Sequence, residues 1–223
     1  MSKITPTGIE EQKLWDRGYL ACGIDEAGMG PLAGPVVAAA VILSRPPLST
    51  EDYFKKWEDF GVCDSKLLSE KKRIMIYHQL VKENDCQWGI GIIDEKTIDA
   101  INILQAGLMA MQRAVQDLLQ KYHTSHDPSH IYLRVDGRNI IPDLSLNQKA
   151  IINGDAKLFS IACASIIAKC TRDAIMYTQA KKYPQYQFEK HKGYGTKLHF
   201  SLITQHGLSP IHRKSFLKKY GTR

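Results

Sequence analysis

Two adjacent carboxylates, Asp25 and Glu26, stand at the end of the apolar run Tyr19-Leu20-Ala21-Cys22-Gly23-Ile24, directly before the glycine-bracketed turn Gly28-Met29-Gly30. Such a run reads as a buried strand. Burying one unpaired carboxylate is costly, and two side by side also repel. No Lys or Arg lies between Tyr19 and Ser44. The balancing charge must come from elsewhere in the fold or from metal ions. Hard divalent cations such as Mg²⁺ take oxygen ligands from one or two carboxylates and share the rest with phosphate and water.

Two further acids repeat the pattern. Asp136 follows the apolar stretch at 131–135, and Asp155 follows Ile151-Ile152-Asn153-Gly154 just ahead of a helical stretch. Acids at neighbouring strand ends and a helix start converge on one rim of a sheet. Two divalent ions about 3.5–4 Å apart make such a cluster a clamp for in-line phosphoryl transfer. Taken singly, Asp136 fits an Asp-Gly turn and Asp155 a helix cap. Their conjunction with Asp25-Glu26 is what points to metal chemistry.

The elements that must position these acids follow from periodicity. Strands are expected at 19–25, 35–43, 86–93, 131–135 and 150–152. A short leading helix is expected at 9–17, and a helix capped by Ser69 runs to about Glu83. The longest clear helix is capped by Asp94 or Thr97. Its apolar face is Ile98, Ile101, Leu104, Leu108, Met111, Val115 and Leu118. Another long helix spans about 158–182. Residues 44–62 read as mixed, with Pro46-Pro47 punctuating a loop. Consecutive strands followed by helices alternating with strands imply an α/β fold, a mixed sheet flanked by helices.

The 223 residues carry a net charge of +7. That suits one globular domain with a small appendage. The charge is uneven. Residues 181–223 hold ten Lys/Arg against one acid, Glu189, while residues 1–180 are close to neutral. A basic C-terminal segment is the footprint of a nucleic-acid binder, although a solvated terminal helix has the same composition. The five cysteines are odd in number and form no CxxC pair, which argues against a disulfide framework and for a reducing cytoplasm. No signal-peptide region and no run of about 20 apolar residues suggest a membrane role.

Other groupings carry less. Gly28-x-Gly30-x-x-x-Gly34 is followed by strand-like sequence, where a dinucleotide loop needs a helix, and Asp25-Glu26 repels phosphate. His123, His126 and His130 suit solvated surface better than zinc. Asp173, beside Arg172, reads as a helix-surface pair and not a fifth site acid. Ser65 and Ser165 lack a His–Asp partner at a recognisable spacing. Trp15, Trp57 and Trp88 read as packing residues. Tyr194, between two glycines in the basic segment, reads as exposed and suited to stacking on sugar or base.

The stretch from Gly23 through Gly34-Pro35-Val36-Val37 resembles the opening signature of type 2 ribonucleases H, the ribonuclease HII group. The likeness continues through Asp64-Ser65-Lys66, Val135-Asp136-Gly137, Gly154-Asp155-Ala156-Lys157 and Thr171-Arg172-Asp173. It ends with His191-Lys192-Gly193-Tyr194-Gly195-Thr196 and His212-Arg213-Lys214-Ser215-Phe216. The resemblance implies a ribonuclease H-like mixed β-sheet with a basic helical C-terminal extension. Residues 1–18 would be a leader helix and 19–217 one domain, its catalytic core ending near 180. It implies an endonuclease that needs two Mg²⁺ or Mn²⁺ ions. Its substrates would be the RNA strand of RNA–DNA hybrids and ribonucleotides embedded in duplex DNA. Asp25, Glu26, Asp136 and Asp155 would be the metal-binding catalytic acids. Gly28, Met29 and Gly30 would meet the ribose 2′-OH, and Tyr194 the adjacent sugar. Asp64, Ser65 and Lys66 would lie along the nucleic-acid path. The family usually has arginine where this chain has Met29. The alternative reading is a non-catalytic hybrid-binding protein on the same fold. A monomer is the default.

Overall fold

The structure, a computed structural model, describes residues 6–45, 50–63, 65–121 and 128–218. Asp64 of the expected nucleic-acid path, Pro46-Pro47, and His123 and His126 of the polar loop lie outside them. Five strands, β1 (Leu20–Ala27), β2 (Val36–Leu43), β3 (Cys86–Ile93), β4 (Ile131–Asp136) and β5 (Asn147–Ile151), form one sheet in the order β3-β2-β1-β4-β5. β1 pairs antiparallel with β2 and β2 with β3, whereas β4 runs parallel to β1 and β5 parallel to β4. The helices are α1 (Ile9–Trp15), α2 (Thr50–Phe60), α3 (Glu70–Leu80), α4 (Glu95–Ile101), α5 (Ile103–Lys121), α6 (Phe159–Lys182), α7 (Phe188–His191) and α8 (Lys197–His206).

Every residue of β2 is buried because both faces of the sheet are covered. Ala39, Val41 and Leu43 face the layer of α2, α3 and α6, and Val36, Ala38, Ala40 and Ile42 face α5. The central strand admits α6 at backbone distance. A Cβ on Gly23 would lie 2.2 Å from the Ser160 carbonyl carbon. That close approach brings α6 over the strand end where Asp25 stands.

Three expectations are sharpened or corrected. Residues 50–60, within the stretch read as mixed, form α2. Tyr53, Phe54 and Trp57 fall on one side and are buried, with Phe54 stacked between Trp15 and Phe159 at 5.4 and 5.3 Å. Burying each such ring contributes about 1.5–3 kcal/mol, enough to outweigh a polar composition. The long helix from 94 is two helices. Asp94 caps α4 by accepting from the Thr97 amide, and Asn102, at φ 67°, ends α4 and caps α5 by accepting from the Gln105 amide. Leu104 is accordingly exposed. The last strand is Asn147–Ile151, shifted back from 150–152. Ser69 caps α3 as expected, with its hydroxyl accepting from the Lys72 amide.

Candidate active site

Parallel pairing of β1 with β4 sets Ile24 beside Val135, so Asp25 and Asp136 emerge side by side at one rim. Asp155 sits in a single 3-10 turn, Gly154–Ala156, between β5 and α6. The Gly154 amide donates to Asp136 Oδ1 at 2.7 Å and ties that turn to β4. Carboxylate oxygens of Asp25, Asp136 and Asp155 all fall within 4.8 Å of one another. Glu26 follows Asp25 on the strand and points to the opposite face, as alternation requires. There it borders a shallow cavity shared with Met29, Leu104, Asp136 and Arg138.

The electrostatics are unbalanced. Burial first, then the charges of Glu26 and Asp136, hold the Asp25 carboxyl well above the usual range. Burial and then Asp136 push Glu26 up to about 7. The Lys66 ammonium lies 3.3 Å from Asp155, but its side chain is 76% exposed and worth little in water. Asp25 accepts hydrogen bonds from the Glu26 amide and the Ser165 hydroxyl. Ser165 is in turn 2.8 Å from Ser65. Ser65 is therefore buried and reaches the site through Ser165 on α6, a contact sequence spacing did not reveal.

Asp173 does not join the cluster, and it is not at the surface as expected. It is buried and paired with Lys169 at 2.7 Å and Arg73 at 3.7 Å. Arg172 turns the opposite way. Its guanidinium donates to the carbonyls of Ala33, Pro35 and Lys192. Arg213 donates to those of Gly28, Met29 and Gly34. Both arginines are fully buried. Together they clamp the loop from Gly28 to Pro35. Gly28 takes φ 108°, and a Cβ there would meet Arg172 Nε at 2.5 Å, so only glycine fits. The Met29 thioether rests on α5 at Gly107. Tyr194 is 39% exposed, with Lys169 and Arg172 at 5.4 and 5.6 Å from its ring centre. In sequence, Arg172 and Arg213 look like ordinary surface cations; only the family blocks mark them.

The architecture is that of the type 2 and type 3 ribonucleases H. Ribonuclease H2 from Pyrococcus horikoshii superposes with a TM-score of 0.66 at 24% identity, over 92% of this chain and all of that one. Bst-RNase HIII, solved in complex with Mn²⁺, superposes with a TM-score of 0.63 at 16% identity, over 85% of this chain and 63% of that one. The sequence is 47% identical to ribonuclease HII of Caldicellulosiruptor saccharolyticus, covering 93% of this chain and 92% of that protein. The ribonuclease HII family profile matches residues 22–219. The chain belongs to the ribonuclease HII family and is an enzyme, an RNA–DNA hybrid endoribonuclease. No helix among the described residues is long and apolar enough to cross a membrane.

Proposed function

We propose that Asp25, Glu26, Asp136 and Asp155 hold two divalent cations, Mg²⁺ or Mn²⁺. With them the chain would cut RNA–DNA hybrids, and also duplex DNA 5′ of an embedded ribonucleotide, leaving 3′-hydroxyl and 5′-phosphate ends. The observation that carries this is the meeting of the Asp25, Asp136 and Asp155 carboxylates within 4.8 Å, where burial and neighbouring acids hold Asp25 well above its ordinary range and push Glu26 up to about 7. An all-oxygen donor set at a strand rim suits hard cations. Bound there, such ions neutralise phosphate charge and lower the pKa of water. The protein's own groups do the rest. The Gly154 amide fixes Asp136, and Ser165 fixes Asp25. Lys66 supplies a mobile positive charge beside Asp155 for an approaching phosphate. The arginine clamp spends the carbonyls of Gly28 and Met29, which leaves backbone amides of that turn for the ribose 2′-OH, the group that distinguishes RNA from DNA. Tyr194 offers an apolar face to the neighbouring sugar.

This reading places the enzyme, as a monomer in the reducing cytoplasm, in the removal of ribonucleotides during DNA replication and repair. Cys22, Cys86, Cys163 and Cys170 are in no disulfide, which is compatible with that compartment. The test is cleavage of a long hybrid and of a duplex with one ribonucleotide, with Mg²⁺ or with EDTA, followed by analysis of the ends. Cleavage of both substrates only with Mg²⁺, leaving 3′-hydroxyls, is expected. Undiminished cutting in EDTA would sink the metal assignment.

A further inference from the structure

Outside the acid rim, three buried histidines, His191, His199 and His212, cluster against Tyr186 and Phe188. Their hydrogen bonds have a defined direction. The Ser209 amide donates to His212 Nδ1 at 2.8 Å, so that nitrogen carries a lone pair. A neutral His212 then has its proton on Nε2, 3.0 Å from His199 Nε2. His199 must accept there, so its own proton sits on Nδ1, 3.0 Å from the Tyr194 carbonyl oxygen. A one-way chain runs from Ser209 through His212 and His199 to the backbone of Tyr194. His191 stacks on His199 with ring centres 4.2 Å apart, and it accepts from the Gly193 amide.

The two ends of this chain are informative. His212 forms a β-bridge with Ala33 of the arginine-clamped loop. Tyr194 lies between Gly193, at φ 83°, and Gly195, and two glycines leave its backbone wide freedom. Its carbonyl is held by the Thr196 amide at 2.8 Å and by His199. The imidazoles therefore span the interval between the Gly28–Pro35 loop and the tyrosine. Burying them is unfavourable. Desolvation lowers His199 and His212 to about 4, and apolar side chains would fill the same space without that penalty. A purely space-filling role does not account for a fully directed chain ending on one carbonyl.

We propose that His199 and His212 are positioning residues that set Tyr194 at a fixed distance from the Gly28–Gly30 turn, and so sharpen discrimination for a single ribonucleotide over a continuous hybrid. This rests on the reading of Tyr194 as a contact to the sugar beside the cleavage point. A lone ribose offers one place to be recognised, so the spacing between the two readers matters most there. A long hybrid offers many registers and tolerates a displaced tyrosine.

Two near-isosteric variants separate the bonds. His199→Asn keeps a donor at the Nδ1 position for Tyr194 but loses the link to His212. His199→Gln keeps a group at the Nε2 position for His212 but loses the bond to Tyr194. The measurement is the ratio of kcat/KM on a duplex with one ribonucleotide to that on a long hybrid, together with Tm. His199→Gln is expected to lower the ratio by about tenfold, the scale of one lost hydrogen bond, and His199→Asn to restore most of it at a similar Tm. In a Tyr194→Ala background His199→Gln should change the ratio no further. A ratio that follows Tm alike in both variants overturns the proposal. If Tyr194→Ala lowers the ratio and His199→Gln does not, the relay alone is wrong. If Tyr194→Ala leaves the ratio unchanged, the sugar contact fails and takes the relay with it. Should His199→Gln not fold, His212→Asn keeps the Ser209 bond and removes the proton given to His199; an unchanged ratio there overturns the relay equally.

Discussion

The acid rim and the arginine-clamped loop Gly28–Pro35 meet just after Asp25-Glu26, and the two handle buried charge in opposite ways. At the rim, carboxylates crowd within 4.8 Å with one exposed lysine beside them. In the clamp, Arg172 and Arg213 are buried without a carboxylate partner, yet six of their N–H groups reach carbonyls. Burial, then the charge of Arg172, brings Arg213 down to about 9, so it stays charged at neutral pH. Guanidinium is a fixed fork of donors and suits a cage of carbonyls. Carboxylates only accept; at the rim the Glu26 and Gly154 amides, the Ser165 hydroxyl and Lys66 donate to them, yet burial and mutual repulsion still hold Asp25 and Glu26 above their usual range. The framework charge is matched donor by donor; the rim charge is the part we propose a cation completes.

The largest expected effect separates these two kinds of charge by sign. Asp25→Asn or Asp136→Asn should cut the cleavage rate in Mg²⁺ below a few per cent of wild type, while raising Tm in EDTA by about 2–4 °C as repulsion is relieved. Calorimetry beside a single-turnover assay reads both. A variant that loses Tm along with activity would mean that the acids hold the fold together.

Arg213→Met should move stability the other way. Three carbonyls lose their donor, at a cost of about 3 kcal/mol or more in urea unfolding, and activity should fall because the loop is released. A stability loss well under 1 kcal/mol would mean that water replaces the guanidinium, and the contrast would collapse.

The smallest effect is a difference of slopes with pH. The two regions should respond to acid oppositely. Folded Glu26 titrates near 7 against 4.5 when unfolded, so the native state binds the extra proton and stability rises as pH falls from about 7 to 4.5. Folded His199 and His212 titrate near 4 against 6.5, so the unfolded state binds the protons and stability falls as pH drops from 6.5 toward 4. Tm measured from pH 7 to 5 in EDTA should therefore change modestly in wild type. Glu26→Gln should steepen the loss on acidification, and His212→Asn should flatten it. Parallel curves for all three proteins would refute the assignment of opposite signs.

Much of this was legible in the sequence because it depends on local pattern. Continuous apolar runs marked β1 and β2, Ser69 announced a helix start, and the acids at 25, 26 and 136 stood where strands end, with Asp155 ahead of a helix. Glu26 alone falls outside the closest carboxylate triad, since strand alternation sends it to the other face. What was not legible depends on distant partners. Helix α2 looks polar until Trp15 and Phe159 cover its aromatic side. The break at Asn102 hides inside an unbroken apolar period, because a side-chain cap overrides periodicity at one residue. Asp173 looked like a surface acid, and Arg73, a hundred residues away, joins Lys169 in making its burial tolerable. Single-sequence reading ranks residues by type; it does not show which buried cation has found a carbonyl.

The bond from Arg213 to the Gly28 carbonyl joins residues 185 positions apart. Chains are synthesised from the N-terminus at about 5–20 residues per second. All four rim acids leave the ribosome well before the residue that shapes the loop beside them. A nascent chain therefore carries Asp25, Glu26, Asp136 and Asp155 while its Gly28–Pro35 loop still lacks the Arg213 bonds. The loop beside the acids therefore takes its shape only after Arg213 has emerged, later than any of the four acids themselves.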